Sequence, residues 1–110
     1  MSTKFIRITR WHPRRFEYLP GDKVNNPQWI ECQADTTQEV LIKLGDIRLI
    51  ENVSVANHTI VQTGGRLSFG SEEARSVAKI TLTDGQQLFT KDTFEIVSNK
   101  VENRYGHIYR

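Results

Sequence analysis

Residues 79–90, Lys-Ile-Thr-Leu-Thr-Asp-Gly-Gln-Gln-Leu-Phe-Thr, carry the clearest alternation of apolar and polar positions in the chain. This period-two pattern is typical of a half-buried β-hairpin. A two-residue turn would place Leu88 on the face opposite to Ile80. A three-residue loop, Thr83–Gly85 with Gly85 in the left-handed conformation, instead pairs Ile80 with Leu88 and keeps one face apolar. We therefore predict the three-residue loop.

Alternation predicts five further strands, and Gly64–Gly65 predicts a two-residue turn between the last two of them. These strands are Phe5–Trp11, Glu39–Leu44, Ile47–Val55, Thr59–Thr63 and Arg66–Phe69. The third needs a bulge near Ile50 to keep its apolar residues inside. Phe16–Leu19 and Trp29–Cys32 have weaker patterns, and we expect them to pair across the loop between Pro20 and Pro27.

Two segments carry signals for the start of a helix. Ser71–Ser76 predicts a cap and a single helical turn, because its acids suit a helix N-terminus. Asp92 is predicted to cap a final helix, with Glu95 completing a capping box and Gly106 ending the helix. The apolar stripe of this helix consists of Phe94, Val97 and Val101.

These elements predict a mainly β fold, a small partly closed barrel or sandwich of six to eight antiparallel strands with one C-terminal helix. With 110 residues the chain has room for one domain, 1–110, in which 1–38 is basic and irregular and 39–104 holds hairpins and helix. The single cysteine, Cys32, excludes an intrachain disulfide and fits a reducing compartment. No signal peptide and no apolar run of membrane length is visible in the sequence, so we expect a cytoplasmic protein that does not enter a membrane.

The sequence lacks the motifs of common catalytic and metal sites. His12, His58 and His107 are far apart without ligand spacing, which favours surface histidines over a metal site. Cys32 is expected to be a small buried hydrophobic residue, and Ser68 lacks the spacing of a nucleophile elbow. We therefore predict a non-enzymatic protein with no metal and no cofactor. An enzyme would need a pocket that gathers histidine or cysteine with acidic side chains.

Charge is distributed unevenly along the chain. Residues 1–16 carry five basic residues and no acid, whereas residues 17–99 carry seven basic against twelve acidic residues. In the N-terminal segment arginines alternate with aromatic residues, a pattern that suits nucleic acid, an anionic nucleotide or an acidic protein surface. Solvated charges on a strand and loop are the plainer interpretation. The predicted binding residues are Arg7, Arg10, Trp11, Arg14, Arg15 and Trp29.

Trp11 and Trp29 each allow two interpretations, a core plug beneath a loop or an anchor of an interface. The leading functional hypothesis is a small regulatory or interaction protein that docks on a protein partner or on a second copy of itself. Bacterial accessory factors and phage-encoded inhibitors include chains of this kind. The alternative hypothesis is a nucleic-acid-binding or nucleotide-binding protein that uses the basic N-terminal segment.

Three blocks stand in order along the chain: Phe5-Ile-Arg-Ile-Thr-Arg10, Ile47-Arg-Leu-Ile-Glu51, and Lys79-Ile-Thr-Leu-Thr-Asp-Gly85 followed by Thr90-Lys-Asp-Thr-Phe-Glu95. They resemble the small flagellar FlbD-type proteins, also called SwrD. That family has an Ile-Arg-Leu-Thr-Arg strand, an Ile-xx-Ile-Glu strand and a Thr-Asn-Gly hairpin that leads into a helix. The resemblance implies a small accessory protein whose role is interaction, and it supplies no catalytic residues.

A second resemblance covers Val40–Val101. Leu44-Gly-Asp-Ile-Arg-Leu-Ile-Glu51, followed by the Asp84-Gly85 hairpin and a helix, is similar to part of a LytTR-type DNA-binding domain. The family's closing Phe-x-Arg-x-His-Arg-Ser block is replaced here by residues 102–110, Glu-Asn-Arg-Tyr-Gly-His-Ile-Tyr-Arg. The resemblance implies DNA binding, but the positions that would contact DNA do not match.

Overall fold

Nine strands and one α-helix form the regular structure of residues 4–105. The computed structural model describes these residues, except for the side chains of residues 63, 104 and 105. The strands are β1 (Phe5–His12), β2 (Arg15–Leu19), β3 (Gln28–Gln33), β4 (Thr36–Lys43), β5 (Ile47–Val55), β6 (His58–Thr63), β7 (Arg66–Ser71), β8 (Arg75–Leu82) and β9 (Gln87–Thr90). A 3-10 turn, Leu44–Asp46, joins β4 to β5, and helix α1 spans Phe94–Tyr105. The predicted mainly β fold of antiparallel hairpins with one C-terminal helix is confirmed. The strand count exceeds the expected six to eight because both weakly patterned segments form strands.

The described chain divides into two compact units. The first, here the sheet unit, comprises residues 4–11, 37–54 and 76–105. The second, the hairpin unit, comprises His12–Thr36 and Val55–Arg75. The prediction of a single domain, 1–110, is not tested by this division and stays a prediction.

The sheet unit contains a five-stranded sheet in the order β4-β1-β9-β8-β5. Within the β8–β9 hairpin, Ile80 pairs with Leu88. The Leu82 N–H donates to the Gln86 carbonyl at 2.8 Å, which leaves three residues in the loop. Gly85, the last of them, has φ +91°, a backbone conformation that favours glycine. The predicted three-residue loop is confirmed.

Apolar side chains from β1, β4, the 3-10 turn, β8, β9 and α1 form the core of the sheet unit. Each is at most 6% exposed: Ile6, Ile8, Ile42, Leu44, Ala78, Ile80, Leu88 and Val97. The alternating residues Ile6 and Ile8 of β1, and Ile42 of β4, therefore face this core. In β5, Ile47 and Ile50 pack against this core while Leu49 is exposed. A bulge near Ile50 would produce this change of phase, and the bulge itself stays a prediction.

Helix α1 begins at Phe94, later than predicted. The Ile96 N–H donates to Thr93 Oγ1 at 3.2 Å, so Thr93 caps the helix. The carbonyl of Asp92 instead accepts the Ala78 N–H at 2.9 Å, which ties its backbone to the sheet. The Asp92 side chain accepts the Thr9 N–H of β1 through its Oδ2 at 3.5 Å. The predicted cap at Asp92, and the capping box built on it, are therefore wrong, because this residue is held by the sheet rather than by the helix.

The buried face of α1 is narrower than predicted. Val97 is fully buried and Val101 packs against the core, as the helical spacing indicated. Phe94 is 39% exposed and does not extend this stripe. The predicted end of the helix at Gly106 lies outside the described residues.

The hairpin unit is built from two two-stranded sheets, β2–β3 and β6–β7. The β2–β3 pair confirms the expectation that these weakly patterned segments pair across the intervening loop. In β6–β7, Thr63 pairs with Arg66, so Gly64 and Gly65 form a two-residue turn. Their φ angles of +58° and +80° match a type I′ turn, and the predicted turn is confirmed.

Residues 71–76 contain no helical turn. β7 ends at Ser71, β8 begins at Arg75, and the residues between them are irregular. The Glu72 N–H donates to the Asn57 carbonyl at 2.9 Å, and the Glu72 carboxylate accepts from Asn57 Nδ2 at 3.3 Å. The predicted helical turn is wrong because these hydrogen bonds, distant in sequence, hold the segment in a different conformation.

Candidate functional site

The six predicted binding residues are divided equally between the two units. Three of them, Arg7, Arg10 and Trp11, lie on β1 in the sheet unit. The other three, Arg14, Arg15 and Trp29, lie in or beside β2 and β3 in the hairpin unit. The continuous basic segment of the sequence therefore contributes to two separate structural settings.

Trp11 belongs to the framework of the sheet unit. Its side chain is only 2% exposed, and its backbone is paired with Phe89 of β9. The Lys91 ammonium lies 4.1 Å from the centre of the indole ring, a favourable cation–π distance. Of the two interpretations of Trp11, the structure favours the core plug. Trp11 can support binding only by holding β1 in position.

A row of aromatic rings crosses the hairpin unit. The ring centres of Tyr18 and Trp29 lie 5.1 Å apart with a tilt of 57°, and those of Trp29 and Phe69 lie 5.2 Å apart at 28°, a stacked arrangement. His58 meets Phe69 edge-on at 4.7 Å. We call Tyr18, Trp29, Phe69 and His58 the aromatic row. Tyr18 is 51% exposed and Phe69 is 47% exposed, so the row reaches solvent.

Strand register explains how the row forms. Tyr18 and Trp29 are direct partners in the β2–β3 pair and therefore share one face. On β7, Leu67 and Phe69 are two residues apart and also share a face. Leu67 is 53% exposed and extends the apolar surface beside Phe69. Of the row, only Trp29 is among the predicted binding residues, because contacts between the two hairpins leave no local signal in the sequence.

The Asn57 side chain joins three segments of the hairpin unit. It is 8% exposed, and its Oδ1 accepts the Arg14 N–H at 2.7 Å. Its Nδ2 donates to Asp35 Oδ2 at 2.9 Å and to Glu72 Oε2 at 3.3 Å. Asn57 therefore links the chain just before β2, just after β3 and just after β7. No sequence pattern indicated this role.

His58 is a structural histidine rather than the surface histidine expected. Its backbone N–H donates to the Arg14 carbonyl at 2.9 Å, and its ring nitrogen Nδ1 accepts the Phe16 backbone N–H at 3.3 Å. His58 therefore positions the aromatic row and the start of β2.

The charge beside the aromatic row is balanced. Arg14 Nε lies 3.3 Å from Glu31 Oε1, and both side chains are close to half exposed. The hairpin unit as a whole holds five basic against six acidic residues, a formal charge of −1. The hairpin unit therefore has no net positive charge, whereas nucleic-acid-binding surfaces are typically basic.

The side chains of Cys32 and Asp22 both form hydrogen bonds with backbone groups of the hairpin unit. Cys32 is exposed, and its Sγ donates to the Arg15 carbonyl at 3.4 Å. The expected buried cysteine is wrong: the register of β2–β3 shifts between Arg15 and Phe16, which leaves Cys32 without a direct partner at this irregularity. Hydrogen bonds from the backbone N–H groups of Asn25 and Val24, and from the Asn25 side chain, lower the pKa of Asp22 and order the loop around it.

Within residues 4–105, no group of three or more side chains is arranged to hold a metal ion.

An open cavity of about 400 Å³ lies on the sheet unit. Its lining includes Ile6 and Arg7 from β1, and Lys100 and Asn103 from α1. Lys100 Nζ donates to the Arg7 carbonyl at 2.8 Å, which links the helix to the strand. Of these residues, sequence analysis had singled out only Arg7 for binding.

No helix within the described range has the length and apolar character needed to cross a bilayer. Comparisons with known protein families, with curated proteins and with solved structures found no match. The resemblances to FlbD-type proteins and to a LytTR-type domain therefore stay predictions.

Proposed function

We propose that this chain is a small non-enzymatic interaction protein that docks on a protein partner, or on a second copy of itself, through the aromatic row. The observation that supports the proposal is the exposure of stacked rings. Tyr18 and Phe69 keep about half of their surface in solvent while Trp29 joins them. Leu67 adds exposed apolar surface on the same face as Phe69.

Aromatic side chains give large contact areas at low entropic cost, since each ring is positioned by only two torsion angles. Tryptophan, tyrosine and arginine are enriched among the residues that dominate binding energy. In the aromatic row, ring contacts already restrict Trp29, so part of the ordering cost of binding is met before a partner arrives. Arg14 and Arg15 are exposed and would lie at the polar rim, where charges mainly affect association rate and specificity.

The charge of the hairpin unit favours a protein partner over nucleic acid. Proteins that bind single strands combine stacking rings with a positively charged groove. The formal charge of this unit is −1, and one of its two N-terminal arginines, Arg14, is paired with Glu31. Stacking rings without net positive charge suit the apolar surface of a protein better.

A leucine pair provides a matched test. Leu67 on β7 and Leu41 on β4 are exposed to similar extents, 53% and 61%, but Leu67 shares a strand face with Phe69 whereas Leu41 belongs to the sheet unit. We expect Leu67→Lys to lose the partners captured by the wild-type chain from its native host, or its self-association in light scattering. Leu41→Lys should retain them. Equal capture by both variants, with both folded by circular dichroism, would exclude the row as the docking surface.

Nucleic-acid binding is tested by fluorescence anisotropy with a labelled single-stranded DNA at two salt concentrations. We expect no binding that depends steeply on salt. Two results together would favour nucleic acid over protein as the partner. The first is an affinity for DNA that falls by more than about tenfold as salt rises, and the second is the loss of that binding in the double variant Arg14→Glu, Arg15→Glu.

A further inference from the structure

We infer that the cavity between β1 and α1 is a binding site for a small organic anion, held by its phosphate or carboxylate group. The site uses Arg7, Lys100 and Asn103, with Ile6 as an apolar contact. It lies within the sheet unit and involves no residue of the aromatic row. It is therefore independent of the proposed docking function.

The cavity has the size of a ligand site. Its volume of about 400 Å³ falls within the range of small-molecule pockets, roughly 300–1,000 Å³. Such pockets combine apolar surface with a few polar groups that fix the ligand's orientation. Here the polar groups come from neighbouring turns of one face of α1, since residues three apart on a helix are adjacent. The strand supplies the third group, Arg7.

The charge of the lining selects an anion. Arg7 and Lys100 are both cationic, and Asn103 has an amide that can donate. Within residues 4–105, no carboxylate forms a salt bridge with Arg7 or Lys100. Within the described residues these two positive charges form no ion pair, although Arg7 and Glu39 of β4 line a second, smaller cavity together. An oxyanion would supply the opposite charge.

The hydrogen bonding of Lys100 orients it for this role. One of its three N–H donors is used by the Arg7 carbonyl at 2.8 Å. Within residues 4–105 the other two make no hydrogen bond, so they can donate to a ligand, and the first bond restrains the side chain near the strand. The guanidinium of Arg7 can hold a phosphate or a carboxylate with two parallel hydrogen bonds. Lys100 thus supplies a positive charge whose position is restrained, and Arg7 supplies a guanidinium that can donate two parallel hydrogen bonds.

The test is a titration of the isotopically labelled chain, followed by nuclear magnetic resonance of its amide and side-chain N–H groups. The probes are adenosine monophosphate, benzoate and neutral adenosine. We expect at least one of the two anions to shift the signals of Arg7, Lys100 and Asn103, with saturation at millimolar concentration, and adenosine to leave them in place. The two anions distinguish a phosphate from a carboxylate ligand.

Arg7→Gln should weaken binding of that anion at least about fivefold, close to the energy of one exposed charge interaction. Arg48→Gln is the matched control, because Arg48 is also an exposed strand arginine but lies on β5, three strands away from β1 in the sheet. Lys100→Met should weaken binding similarly without changing the rest of the spectrum. The inference is overturned if neither anion shifts these signals at about 10 mM. Equal affinities of the Arg7 and Arg48 variants would overturn it too.

Discussion

Asn57 is the residue whose replacement tests the architecture of the hairpin unit most directly. Asn57→Ala removes three hydrogen bonds at once, one from the Arg14 N–H and two to the carboxylates of Asp35 and Glu72. The bond from Arg14 joins neutral groups at 2.7 Å and is worth about 1 kcal/mol. Hydrogen bonds to ionised carboxylates are generally stronger than bonds between neutral groups. Because both acids are exposed and one of the two bonds is long, we expect these bonds to contribute about 2 kcal/mol together.

We therefore expect Asn57→Ala to lower the free energy of unfolding by about 3 kcal/mol, a large share of the roughly 5–15 kcal/mol typical of a domain. Urea titrations followed by tryptophan fluorescence would measure this loss. Native-state hydrogen exchange would add a local reading, because the Arg14 N–H loses its acceptor and should exchange faster. Asn52→Ala, at an exposed asparagine of β5, is the control and should change stability by less than about 0.5 kcal/mol.

Asn57→Asp separates the role of the acceptor from that of the donor. The change keeps Oδ1 for the Arg14 N–H but turns a donor that faces two carboxylates into an anionic oxygen. Repulsion of about 1–3 kcal/mol would raise the pKa of the new carboxyl group in the folded protein above its unfolded value. The folded variant then binds more protons than the unfolded chain, so its stability is greatest at low pH and falls as pH rises through the raised pKa.

The wild-type chain should not show this fall, and the difference between the two pH profiles is the diagnostic quantity. The reasoning is refuted if Asn57→Ala costs less than about 1 kcal/mol. It is also refuted if the stability of Asn57→Asp follows the wild-type pH profile between acid and neutral pH.

Three further predictions concern turn, helix and loop. Gly65→Ala should destabilise the chain by about 1–2 kcal/mol because its φ is +80°, whereas Gly45→Ala, where an added Cβ meets nothing within 4 Å, should cost less in the same urea titration. Val97→Ala should lower the free energy of unfolding by about 2 kcal/mol, since the side chain is fully buried, and thermal unfolding would detect this. The Asp22 carboxyl should titrate below an ordinary aspartate by nuclear magnetic resonance, because backbone N–H groups, first that of Asn25, lower its pKa. The order that Asp22 gives its loop should persist at neutral pH and be lost as pH falls through this lowered pKa.

The predictions that succeeded depend on neighbours in sequence. Alternation identified the strands, and the glycine positions identified both hairpin turns, with φ of +91° at Gly85 and a type I′ pair at Gly64–Gly65. Strand pairing across a short turn is fixed by the few residues of that turn. A single sequence therefore contains enough information to place Ile80 opposite Leu88.

The predictions that failed also concerned local signals, but there a distant contact competed with them. Aspartate is a residue type that commonly caps helices, yet the Asp92 carbonyl accepts the Ala78 N–H and Thr93 caps the helix. Ser71 and the acids after it suit a helical turn, yet Asn57 binds both the backbone and the side chain of Glu72. Hydrogen bonds between residues far apart in sequence outweighed preferences of a few tenths of a kcal/mol to about 1 kcal/mol.

By itself, the sequence determined that the chain forms antiparallel hairpins and a terminal helix, because periodicity and turn chemistry act within a few residues. Tertiary packing, by contrast, divides the basic segment between two units and stacks Trp29 on Phe69. It also brings Lys100 to the Arg7 carbonyl across ninety-three positions of sequence. Such contacts depend on the packing of whole elements, and no residue pattern along the chain specifies which distant side chains will meet.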